Sequence, residues 1–114
     1  MNKQRSYIKY QDALIHQYGE RLNHARSHKG IKEIYFQIMK DLFIDIFEDD
    51  LGLKLCHVSL LPDKEPFFNL DARIAEHERL QVALEHSDLR LILSTFARQA
   101  CRHLPPSTPS VRPF

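Results

Sequence analysis

The sequence predicts an all-α fold: a four-helix, bundle-like single domain over residues 1–104, with one short extended segment near 53–60 and a proline-rich tail at 105–114. Three observations carry this. Apolar residues recur at the helical period along most of the chain. Residues 31–47 are apolar over an arc wider than one neighbour can cover. Only LKLCHVSL, residues 53–60, alternates in the manner of a strand.

Helix 1 is expected over about 5–27. At about 100° per residue, Tyr7, Ile8, Leu14, Ile15, Tyr18, Leu22 and Ala25 gather into one stripe. Gly19 stands in mid-helix, where glycine costs about 1 kcal/mol relative to alanine; a close helix crossing is one reason to keep it there. SHKG, 27–30, reads as a turn with Gly30 as the stop signal.

Helix 2, about 31–50, is the most apolar element. Ile31, Ile34, Tyr35, Phe36, Ile38, Met39, Leu42, Phe43, Ile46 and Phe47 span roughly 220° on the wheel, with Ile44 outside that arc. A surface helix needs a stripe only somewhat wider than about 100°. Helix 2 is therefore central and needs cover on more than one side.

Gly52 ends it. Residues 53–60 have no convincing second strand elsewhere in the chain, so they are either simply extended or paired with their copy in another subunit. Residues 61–68, LPDKEPFF, form a loop. Helix 3 starts near Asn69 as N-cap and carries the stripe Leu70, Ile74, Leu80 and Leu84. Ser87 and Asp88 form the next cap, and helix 4 follows with Leu89, Ile92, Leu93, Phe96, Ala97, Ala100 and Leu104. The two stripes are out of phase by about 120°, which favours a break near 86–88; one long bent helix is the alternative. Four prolines in the last ten residues exclude a helix there. That tail reads as disordered, with a polyproline-type docking peptide as the sharper alternative.

Composition narrows the function. The hydrophobic share of 43% and charged share of 27% place the chain among globular proteins rather than disordered ones. No apolar run approaches a membrane span. Cys56 and Cys101 share no metal or redox spacing, and the start MNKQRSYIKY is not a secretory leader, so a cytoplasmic protein with reduced cysteines is expected. No Walker loop, dinucleotide fingerprint, G-x-S-x-G or paired CxxC is present, so no cofactor is expected and an enzyme is unsupported.

Two histidine features bear on chemistry. His16, Glu20, His24 and His28 follow at four-residue steps, with Asp12 before them. Two histidines at that spacing can grip a metal, but a site needs three or four ligands and a supporting shell. This ladder lies nearly opposite the stripe of Ile8, Ile15 and Leu22, so it reads as a solvated face. His77 falls within the helix 3 stripe, either as a core-edge histidine hydrogen-bonded to a neighbour or as a pH-sensitive or ligand-contacting residue. The spacing of Glu85 and Asp88 is similar to that of all-α nucleotide pyrophosphohydrolases, which hold magnesium. Helix 2 offers Asp41, Asp45, Glu48 and Asp49 in place of their E-x-x-E pair, and the pattern fails.

Charge is uneven. The net is +1 overall, but +4 over residues 1–30 and −4 over residues 31–69. An antiparallel hairpin of helices 1 and 2 would bring Lys3, Arg5 and Lys9 near Asp45, Glu48, Asp49 and Asp50, offsetting two clusters that each oppose a helix dipole. The leading functional expectation is a small non-enzymatic interaction or regulatory protein of adaptor or chaperone-like type, met by its partner at Phe36, Phe43 and Phe47 or at the acidic edge Asp45, Glu48, Asp49 and Asp50. A homodimer is expected from the wide apolar arc and the unpaired strand. The alternative is a nucleic-acid-binding regulator using Lys3, Arg5, Lys9, Arg98 and Arg102. A metal-dependent hydrolase or metal-binding bundle is the third reading.

Overall fold

The computed structural model describes residues 7–25, 27–62 and 64–104. Lys3, Arg5 and the tail at 105–114 lie outside them. The described chain is mostly helical: α1 (Ile8–His24), α2 (His28–Phe47), α3 (Ala72–Ala75), α4 (Glu78–His86) and α5 (Leu89–His103), with strands β1 (Val58–Leu60) and β2 (Phe68–Leu70) between α2 and α3. None of these helices is long and apolar enough to cross a membrane.

Helix α2 is the centre, as its apolar arc requires. Ile31, Tyr35, Ile38, Met39, Leu42, Phe43 and Phe47 are buried, Ile34, Phe36 and Ile46 are half-buried, and Ile44 is 45% exposed. Cover comes from α1, α5 and β1 of the same chain. The wide arc is thus satisfied internally, which removes one of the two reasons for expecting a homodimer.

The second reason goes with the strand. Residues 58–60 pair antiparallel with 68–70, in the register Val58 with Leu70, Ser59 with Asn69 and Leu60 with Phe68. The second strand lies in FNL, where the sequence suggested the end of a loop and the start of helix 3. Phe68 packs inward against the Tyr35 ring, at a centroid distance of 6.5 Å, while Asn69 faces out. The connecting loop closes by the Leu61 N–H donating to the Phe67 carbonyl, and Ser94 of α5 holds the loop through the Pro66 carbonyl.

Two helix boundaries also shift. Gly30 is not a stop: Ser27 is the N-cap of α2 and its hydroxyl accepts from the Gly30 N–H at 3.0 Å. The expected helix 3 is two helices. Asp71, not Asn69, caps α3 by accepting from the Arg73 N–H, and His77 caps α4 by accepting from the Arg79 N–H at Nδ1, 3.3 Å away. A side-chain acceptor at 77 starts a new helix, so the first cannot run on. The break at 86–88 stands: α4 ends at His86 and α5 starts at Leu89, with the Ser87 hydroxyl accepting from the Leu89 N–H.

Two buried tyrosines tie the long helices together. Tyr18 of α1 donates to the Phe96 carbonyl, and Tyr35 of α2 donates to the Leu93 carbonyl at 3.0 Å, so both hang from adjacent turns of α5. Burial pushes both phenols well above the ordinary tyrosine range. The Tyr7 N–H, at the start of α1, donates to Asp88 at the start of α5. Helices α1 and α5 therefore run parallel, while α1 and α2, joined by a short turn, run antiparallel.

Candidate functional site

A groove of about 710 Å³ lies where α1, α2 and α4 meet. Tyr7 enters from the start of α1, Ile46 and Phe47 from the end of α2, and Glu78, Arg79, Val82 and Ala83 from α4. Its floor is apolar. Phe47 is 9% exposed and stacks edge-on against Phe43, whereas Val82, on the wall, is 53% exposed.

Arg79 fixes the geometry. Its guanidinium donates to the Phe47 carbonyl at 2.7 Å and lies over the Phe47 ring, 5.4 Å from the centroid. It thus supplies a cation at the negative end of the α2 dipole and closes one of the carbonyls that every helix end leaves open. The His77 cap holds the first turn of α4, from which Arg79 projects.

Of the three bases expected to face the acidic cluster, Lys9 alone lies among the described residues. Lys9 places its ammonium over the Tyr10 ring, 5.4 Å from the centroid, and no ion pair among the described residues joins it to the acidic cluster. The acids have local duties. After Glu48, in the left-handed conformation at φ 59°, the Asp49 and Asp50 carboxylates accept from the N–H groups of Leu51 and Gly52. That is the turn chemistry of aspartate. Asp45, Glu48 and Asp49 remain exposed near the end of α2.

The remaining candidates fall as follows. Phe43 and Phe47 are core, and Phe36 is half-buried, so the first two are occupied within the chain. His16, Glu20, His24 and His28 are exposed, and His28 belongs to α2, beyond the end of α1 at its cap Ala25, so the ladder does not share one helix. The His24 ring pairs with the Glu20 carbonyl. Among the described residues no three His, Cys, Asp or Glu side chains gather as a metal site. Arg98 and Arg102 are exposed on α5. Lys9 is exposed too, but it starts α1, level with the start of α5, so it stands about 15 Å from Arg98 along the helix axes.

Sequence reasoning missed His57 and the capping role of Asp71. His57 is 8% exposed; its Nδ1 accepts from the Lys54 N–H and its carbonyl accepts from the Asp71 N–H, linking the turn before β1 to the cap of α3. The alternation of 53–60 puts His57 in phase with Leu53 and Leu55, which was the available signal. The Arg73 side chain and backbone N–H hold the Asp71 carboxyl down at about 2. No protein-family model matches the chain, and neither a curated protein nor a solved structure gives a significant match.

Proposed function

We propose that this chain is a small non-enzymatic interaction protein of regulatory or adaptor type, which receives an amphipathic, basic-and-apolar helix of a partner protein in the groove between α1, α2 and α4. The single supporting observation is the composition of that groove. Its apolar lining is Ile46, Phe47, Val82 and Ala83, Glu78 lines it as well, and Asp45, Glu48 and Asp49 are exposed near the end of α2, the helix that supplies Ile46 and Phe47. Of the two basic side chains among the described residues that line it, Arg79 and His86, the first is committed to the Phe47 carbonyl. Apolar floors with charged flanks suit helix-in-groove recognition, in which apolar anchors give affinity and charges give orientation.

A labelled Leu/Lys amphipathic peptide tests this by fluorescence anisotropy against its Leu/Glu counterpart. The basic peptide is expected to bind, to weaken with added salt, and to be rejected by Val82→Arg, a change at an exposed position that the fold tolerates. Equal binding of both peptides, or indifference to Val82→Arg, refutes the proposal.

A second reading rests on α5, which carries exposed Arg90, Arg98 and Arg102, no acidic residue, and Leu91 at 68% exposure. A basic helix of this kind suits phosphate backbones. A gel shift at low salt, lost on Arg98→Glu with Arg102→Glu, supports it; no shift at low salt removes it.

A further inference from the structure

A second cavity lies at the other end of α2, remote from the groove. It measures about 410 Å³, within the size range of small-molecule sites. Its walls divide by chemistry. Leu55, Leu60 and Leu104 converge on it from a 3₁₀ turn (Leu55–His57), β1 and the end of α5, and each is only half-buried. His28, Lys29 and Lys32, from the first turns of α2, line the opposite side. Among the described residues no acidic side chain lines the cavity, and neither lysine is in an ion pair.

This clustering of like charge carries a cost. Lys29 and Lys32 are adjacent on the helix surface and repel each other. They also sit at the positive end of the α2 dipole, where acidic residues are favoured and none is present in the first turn. Packing does not demand either ammonium group, since Lys29 is exposed and Lys32 half-buried. Local conflicts of this kind, set beside incompletely covered leucines, are expected where a ligand completes the structure.

We infer that this cavity binds a small amphiphilic anion, an alkyl carboxylate, with its head on Lys29 and Lys32 and its chain against Leu55, Leu60 and Leu104. The head neutralises the unpaired cations by charge-assisted hydrogen bonds, and the chain completes the burial of the three leucines. Both halves are required. Acetate lacks the tail and octanol lacks the charge, so neither satisfies the site.

The test is calorimetric titration of the full chain with octanoate, acetate and octanol. Octanoate is expected to bind at least about tenfold tighter than either of the others, the scale set by losing one charged or one apolar half. Amide shifts in NMR should centre on Leu55, Leu60 and Leu104. Lys29→Glu with Lys32→Glu should weaken octanoate by about tenfold or more, whereas Lys9→Glu with Lys40→Glu, an equal change in net charge away from the cavity lining, should leave it unchanged. Octanol binding as tightly as octanoate, equal weakening by the two charge reversals, or no heat with octanoate overturns the inference. None of these outcomes involves the α1–α2–α4 groove.

Discussion

Removing the hydroxyl of Tyr35 is the most direct probe of how α5 holds the other long helices. Tyr35 is fully buried and donates 3.0 Å to the Leu93 carbonyl. Two terms set the cost of Tyr35→Phe. The hydrogen bond itself contributes about 1 kcal/mol net. An orphaned buried acceptor would add about 1–3 kcal/mol, but Leu93 lies inside α5 and its carbonyl keeps its helical N–H partner. The second term therefore largely vanishes, and the ring that fills the core is retained. The expected loss is about 1 kcal/mol, or about 4–8 °C in Tm for a domain of this size. Tyr18→Phe should cost a similar amount, since Phe96 is likewise inside α5. The bonded carbonyls are one turn apart and the two phenols feel each other electrostatically, so the double variant should depart from additivity. Urea unfolding followed by far-UV circular dichroism measures this, with Tyr10→Phe as the reference for a half-buried phenol. A Tyr35→Phe loss no larger than that of Tyr10→Phe refutes the tethering role. A loss above about 3 kcal/mol refutes the premise that the carbonyl retains a partner.

The same two tyrosines predict alkaline behaviour. Their phenols sit above the ordinary value of 10, so folded and unfolded chains bind the same phenolic protons below that pH. Above it the unfolded chain releases protons that the folded chain retains, and stability falls as pH rises, by up to about 1.4 kcal/mol per pH unit for each tyrosine; Tyr18→Phe with Tyr35→Phe should flatten that slope, and an unchanged slope counts against burial as its cause. Gly19→Ala should stabilise by about 0.5–1 kcal/mol through helix propensity, because the added Cβ meets only the Gln99 side-chain amide at 3.5 Å; destabilisation in thermal melts would reveal a tight crossing instead. Arg79→Met should cost about 1–2 kcal/mol by removing the cap on α2 and the contact with Phe47, against almost nothing for Arg98→Met, and equal melts would show that Arg79 caps nothing. Asp71, held at about 2 by Arg73, contributes stability above its ordinary value of 3.8 that is lost as pH falls from there towards 2; Asp71→Asn should lose less stability than wild type over that acid window, and parallel titrations would refute the pairing.

Helices α2 and α5 were legible because their burial follows a period that many residues share; on α1 the stripe is weaker, since Ile8, assigned to it, is 46% exposed and only Tyr18 and Leu22 are buried. All ten residues assigned to the α2 arc are buried or half-buried, and Ile44, which fell outside it, is exposed. The stripe of α5 is equally faithful from Leu89 to Ala100. Residues 68–70 were illegible for the opposite reason. A three-residue strand offers one and a half alternations, too few to separate from a helical start, and its partner lies eight or more positions earlier across a loop. Leu70 satisfied a helical stripe and a strand equally well. The break at 76–77 was hidden because it depends on a histidine acting as an N-cap, a role usually filled by Ser, Thr, Asp or Asn.

The groove was partly legible as a need without a supplier. An acidic cluster at the C-terminal end of α2 opposes the helix dipole, and that much follows from Asp45, Glu48, Asp49 and Asp50 in order along the chain. Some cation must then be favoured there. Hairpin geometry offered Lys9, Arg5 and Lys3, but a rule about helix ends says nothing about which distant segment arrives. The decisive fact is the β1–β2 pairing, which turns the chain back before α4 meets the end of α2. Once α4 is there, Arg79 reaches the Phe47 carbonyl and lies over its ring, a planar cation able to serve both at once. The least readable three residues of the sequence therefore determine which residue completes the most readable helix, and with it the wall of the groove.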